Sequence, residues 1–215
     1  MTTIVGRNLR IEVALTLDTP IPVSAVTKAD PGVATSTAHG LTDGEVGFFL
    51  ADSAGMIELN EQAVMVDNST TNDFELAGLE TTGYTTFTTG TFTAAATWGL
   101  MAEADGYDVG GGAADQLSDN RIHLNRNVNI AGLNPAETFL TNIKAPELYG
   151  AALAFVVKAA RAGRPCLFRV QKTGGTMLRV LYGVPSVPGE AVQVGGLGTG
   201  NFSVTCTGYV LKPNV

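Results

Sequence analysis

Between Ala29 and Asn120 the chain has no lysine or arginine, although this span carries 15 of the 20 acidic residues. The remainder holds all 13 basic residues against 5 acids, so −15 and +8 make up the net charge of −7. Such segregation points to electrostatic pairing or steering, the plainer reading being an acidic solvated insert on a mildly basic body. Charge of either sign is scarce, at 15% against the roughly 25% of ordinary soluble domains. A chain this poor in charge and rich in glycine and threonine suits a surface hidden in an assembly.

Cysteine is also scarce. Cys166 and Cys206 make no disulfide framework, and each falls on the apolar face of a strand pattern. They are expected to be buried free thiols in a protein made in a reducing compartment. The two histidines, His39 and His123, stand alone, one in a turn motif and one on a polar strand face, and no Cys/His pair has zinc-site spacing. Met1 to Arg10 lacks a signal-peptide layout. Leu148 to Ala160, the longest helical apolar run, is too short for a bilayer and contains Lys158. A soluble chain without membrane insertion is expected. Asn68-Ser69-Thr70 and Asn201-Phe202-Ser203 match the glycosylation pattern by chance.

Catalytic signatures are missing as well. Gly195 to Gly200 spells Gly-x-Gly-x-Gly, but no strand–turn–helix follows, so the dinucleotide reading fails. Asp105, Asp108 and Asp115 do not have the spacing of a calcium loop. With no nucleophile elbow and no poised carboxylate pair, neither a cofactor nor an enzymatic activity is expected.

What is present is strand signal. From Val33 to Phe92, short β-branched or aromatic runs are separated by Gly, Asn and Asp every eight to twelve residues or so, the pattern of a small antiparallel barrel. Gly40, Gly44 and Gly55 suit positive φ, and Asn68, Asn72 and Asp73 suit side-chain-bonded turns. Upstream, Leu9, Ile11, Val13, Leu15 and Leu17 alternate with Asn8, Arg10, Glu12 and Thr16, predicting one strand over Thr2 to Leu17 with Glu12 on its wet face. Thr81 to Thr97 holds nine threonines in seventeen positions and predicts a return strand, anchored by Trp98. Leu100 to Asn120 reads as a long acidic loop around Gly110-Gly111-Gly112. Arg121 to Ile130 reads as a half-buried strand, and Gly132 to Lys144 as a connector with a helical turn around Ala136 to Leu140.

Pro146 to Arg161 predicts the one helix, with Pro146 and Glu147 at its start, Lys158 and Arg161 at its end, and Gly163 and Pro165 as stops. Its predicted buried stripe is Leu148, Ala152, Phe155, Val156 and Ala159. Three strands close the chain, around Phe168–Val170, Leu178–Tyr182 and Phe202–Val210. Gly174-Gly175 links the first two as a hairpin, and a Pro/Gly-rich loop over 185–200 precedes the third. The expected fold is mainly β: a sandwich or barrel frame (1–22 and 96–215) with one flanking α-helix, and an inserted small β-barrel (23–95).

His39-Gly40-Leu41, Gly44-Glu45-Val46 (with a small departure at Glu45), Gly55-Met56-Ile57-Glu58-Leu59-Asn60 and Phe74-Glu75-Leu76-Ala77-Gly78 occur in this order. The stretch resembles a small β-barrel module that recurs in tailed-phage virion proteins, whose profile is often named after the first catalytic cysteine half-domain of ubiquitin-activating enzymes. The pattern also departs at Glu61, and the stretch holds no cysteine, so no thioester chemistry is implied. With the order of frame elements, from Ile4-Val5-Gly6-Arg7 to the final strand, the chain resembles the tail tube proteins of long non-contractile phage tails.

That resemblance implies hexameric rings stacked into a hollow tube in the virion tail, assembled in the bacterial cytoplasm. Tape-measure and tail-terminator proteins would be its partners, and DNA would pass without specific binding. A bore that lets DNA slide must carry few cations, so the basic frame should place most of its arginines at ring interfaces. A receptor-binding or fibre component, a tail-completion protein or a capsid decoration protein are the alternatives. Within the tube reading, the acids Glu103, Asp105, Asp108, Asp115 and Asp119 are candidates to reach a neighbouring subunit or ring. There they would pair with Arg121, Arg126, Lys158, Arg161 and Arg164.

Overall fold

A computed structural model describes residues 9–51, 55–111, 116–119, 128–131, 136–144, 150–192, 194, 196 and 198–213. The protein is mainly β, with 50% strand against 8% helical residues, as the alternation predicts. In chain order the elements begin with β1 (Leu9–Leu17), β2 (Ile21–Val23), β3 (Ala25–Val26), β4 (Val33–Thr35) and β5 (Val46–Ala51). A 3-10 turn (Ile57–Leu59), β6 (Ala63–Asp67), β7 (Asp73–Leu76), β8 (Gly90–Leu100), β9 (Ala104–Gly110) and β10 (Gln116–Asp119) follow. Then come β11 (Val128–Ala131), β12 (Thr138–Lys144), α1 (Ala151–Arg161), β13 (Cys166–Lys172), β14 (Met177–Pro185), β15 (Gly189–Ala191) and β16 (Thr199–Cys206).

One curled antiparallel sheet runs β3-β4-β7-β6-β5-β8-β1-β13-β14-β16-β12-β9, with β2 on β8 and β15 on β16. Strand β8 is its seam. Its first half pairs with β5 from Gly47↔Ala94 to Ala51↔Gly90, and its second half pairs with β1 through Ala14↔Trp98 and Glu12↔Leu100. The expected boundary at residue 95 therefore falls inside a continuous strand.

Two apolar cores lie on either side of the frame sheet. The first is filled by Phe49, Phe74, Phe92, Leu59 and Val64 of the module, together with Ala14, Leu167, Val180 and Leu211 from the frame. The second packs Leu153 and Val156 of α1 against Ile11, Val13, Phe168, Leu181 and Phe202. Both faces of β1 and β14 are thus covered, which simple alternation does not reveal. Glu12, expected to be wet, is 3% exposed. Arg169 and Gln171 donate to its Oε2 at 2.7 Å and 2.8 Å, and Arg10 pairs with its Oε1 at 2.9 Å. Arg169 in turn lies 4.1 Å from the centroid of the Trp98 ring.

The module is tied to the frame by more than its core. Buried Gln62 accepts from the Tyr209 amide at 2.8 Å and donates to the Tyr209 carbonyl at 3.1 Å, so its side chain mimics a strand pairing. Phe48 stacks on Tyr182 with ring centroids 4.1 Å apart.

Several local expectations are corrected. Residues 104–110 and 116–119 are strands, not parts of one long loop, and β12 replaces the expected helical turn around Ala136 to Leu140. In β12, Phe139, Thr141 and Ile143 face inward while Thr138, Leu140, Asn142 and Lys144 face out. The helix begins at Ala151 because Gly150 is extended, so Pro146 is not its first residue; residues 145–149, Leu148 among them, lie outside the described set. Gly163 does stop it, at φ 61°, with the Gly163 and Arg164 amides donating to the Ala160 and Ala159 carbonyls. Gly40 and Gly44 have positive φ as expected. Gly55 does not; there a side chain would collide with Thr88. Of the predicted strand 121–130, residues 121–127, with His123, lie outside the described residues, and 128–131 form β11.

Candidate functional site

Of the predicted acids, Glu103, Asp105, Asp108 and Asp119 lie in or beside two strand pairs. Strand β9 pairs with β12 from Ile143↔Ala104 to Thr138↔Gly110, and β10 pairs with β11 from Gln116↔Ala131 to Asp119↔Val128. Residues 112–115 and 132–135, which connect the two ladders, lie outside the described residues, and β10 and β11 form a separate two-stranded sheet. The β9–β12 ladder forms because Phe139 and Ile143 bury against the second core and Tyr107 stacks on Phe139 at 5.3 Å. Among the described residues, β9 has no strand partner on its other side, which makes it the open end of the sheet.

Each acid has its own environment. Glu103 sits in the turn before β9, where its carboxylate accepts the Gly150 amide at the start of α1, a favourable place for negative charge. Its backbone carbonyl accepts the Lys144 amide at 2.8 Å, so Glu103 serves the fold rather than a neighbour. Asp105 pairs with Lys144 Nζ at 2.8 Å, both about half exposed. Asp108 is exposed on the edge strand. Asp119 ends β10, and Asp115, Arg121 and Arg126 lie outside the described residues.

The basic candidates form a second site. Lys158, Arg161 and Arg164 are exposed at the C-terminal end of α1, opposite the end that Glu103 caps. Glu103 and the three described bases thus mark opposite ends of an 11-residue helix about 16 Å long, and a pairing between neighbouring copies is left open. Beside this end, Phe155 is half-buried rather than in the core, because the closest packing falls to Leu153, Val156 and Val157. Sequence reasoning missed the cleft it lines. Half-buried Leu15 and exposed Leu17, at 48% exposure, lie across the cleft from Phe155 and are the structural sign of it.

No protein-family model matches this chain, and no curated protein matches it. Among the described residues no group of His, Cys, Asp or Glu is placed to hold a metal ion, and no helix is long and apolar enough to cross a membrane. Burial pushes the Cys166 thiol up to about 11. Burial and then the Glu137 charge push Cys206 up to about 12, despite a hydrogen bond at Phe139. Neither is a poised nucleophile. His39 accepts the Leu41 amide at 3.0 Å and meets Phe74 edge-on, the environment of a turn residue.

Proposed function

We propose that the chain is the tail tube protein of a long non-contractile phage tail, forming hexameric rings that stack around a DNA channel. The observation that carries this reading is the edge of β9. Among the described residues, this seven-residue strand has no partner on its outer side at the end of a curled sheet, a template that soluble monomers normally cover. Pairing that edge with a neighbouring copy continues the sheet from subunit to subunit. The charge pattern supports the same reading. Glu12 pairs with both Arg10 and Arg169 within the chain and offsets one of their two charges, which lowers the positive charge the frame offers to phosphates. Tape-measure and tail-terminator proteins are the partners such a tube requires.

Negative-stain electron microscopy of the purified full chain tests this directly. Tubes of stacked rings are expected. Slender trimers would replace the reading with a fibre or receptor-binding component, and discrete single rings with a completion or decoration protein.

A further inference from the structure

The C-terminal end of α1 overlooks a largely apolar cleft that the described residues leave unfilled. Two adjoining hollows of about 300 Å³ and 290 Å³ share Phe155, Pro165 and Cys166 as walls. Leu15 and Leu17 line the second, while Lys158 and Arg164 line the first. No described carboxylate pairs with Lys158, Arg161 or Arg164. Lys158 and Arg161 complement the negative end of the helix, but Arg164 lies beyond its last turn. The cleft therefore selects an occupant that is apolar at its centre and acidic at its margin.

The same chain carries such a feature. Ile57, which opens the 3-10 turn, is 56% exposed, and Glu58 and Glu61 stand beside it. Thr85 holds the Glu58 carboxylate in place, donating from its amide at 3.1 Å and its hydroxyl at 2.8 Å. The turn lies within the span that has no lysine or arginine, and although Lys28 from just outside that span acts on the Glu58 carboxylate, the net acidic charge of the span favours a basic partner.

We propose that the cleft at the end of α1 seats the Ile57 turn of a second copy of this chain, with Glu58 and Glu61 meeting Lys158, Arg161 and Arg164. The inference rests on the self-assembly proposed above and names a contact for it. Each copy offers both surfaces, so the contact repeats through a symmetric assembly. Burying Ile57 against Phe155 supplies the apolar centre, and the charges set orientation and partner choice.

Two charge reversals test it. One variant carries Glu58→Lys and Glu61→Lys; the other carries Lys158→Glu, Arg161→Glu and Arg164→Glu. None of these side chains is in a core, and an unchanged melting temperature confirms that each variant folds. Sedimentation at low and high salt should show each variant alone needing roughly tenfold or more protein to assemble. An equimolar mixture should recover assembly, because every reversed surface then meets one of opposite sign. Either variant assembling like wild type across the salt range would overturn the contact, as would a mixture that stays dispersed. If wild type assembles and the variants do too, only this contact fails. If wild type itself remains monomeric, the self-assembly reading falls with it.

Discussion

Gln62 offers the sharpest test of how the module is joined to the frame. Its side chain is fully buried and gives three hydrogen bonds, two of them to the backbone of Tyr209 and one to the Ala63 carbonyl at 2.8 Å. Replacement by methionine keeps the volume and removes all three. The Tyr209 amide then loses its partner in a part-buried site, at about 1–3 kcal/mol, while its carbonyl still reaches water and adds less. The sum is roughly 2–3 kcal/mol, or about 5–10 °C in melting temperature for a chain of this length. Gln62→Ala should cost about 2 kcal/mol more through the cavity it leaves. Because Leu211 and Val180 share the first core with the module, loss should appear as a lower midpoint in one cooperative urea transition. A Gln62→Met protein within about 0.5 kcal/mol of wild type would show that the clamp contributes nothing beyond packing.

Glu12→Ala should destabilise by about 3–5 kcal/mol, measured by urea unfolding, because it leaves Arg169 facing a buried site without its carboxylate. Phe155→Ala should cost only about 1–2 kcal/mol in the same assay, since the ring is half-buried at the cleft and little of its area is removed from water on folding. The two thiols should resist alkylation at pH 8 in the folded protein and react at once in denaturant, as burial holds both far above that pH. Rapid labelling of the native protein, followed by mass spectrometry, would show that the strand ends carrying them open readily.

Local chemistry was enough to read much of this chain. The alternation in β16, the Gly174-Gly175 hairpin with φ of 113° and 96°, the glycine that ends α1 and the burial of both cysteines follow from spacing and turn preference alone, whereas in β1 Glu12 is buried and Leu17 exposed against the alternation. These signals lie within a few residues of the structure they specify. The β9–β12 ladder is different. Gly106, Asp108 and Gly110 are poor strand formers, and β9 exists because β12 lies alongside it. In β12 itself, Thr141 is fully buried, so a residue that reads as polar occupies a core position. Glu12 and Phe155 were misplaced for a related reason. Alternation tells which residues share a face of a strand or helix, but not whether another layer covers that face. Here the module covers one side of the frame sheet and α1 the other, so a carboxylate among cations is buried while a phenylalanine at the helix end is left half open. Whether a face is wet depends on segments far away in the chain, and only the tertiary structure brings them together.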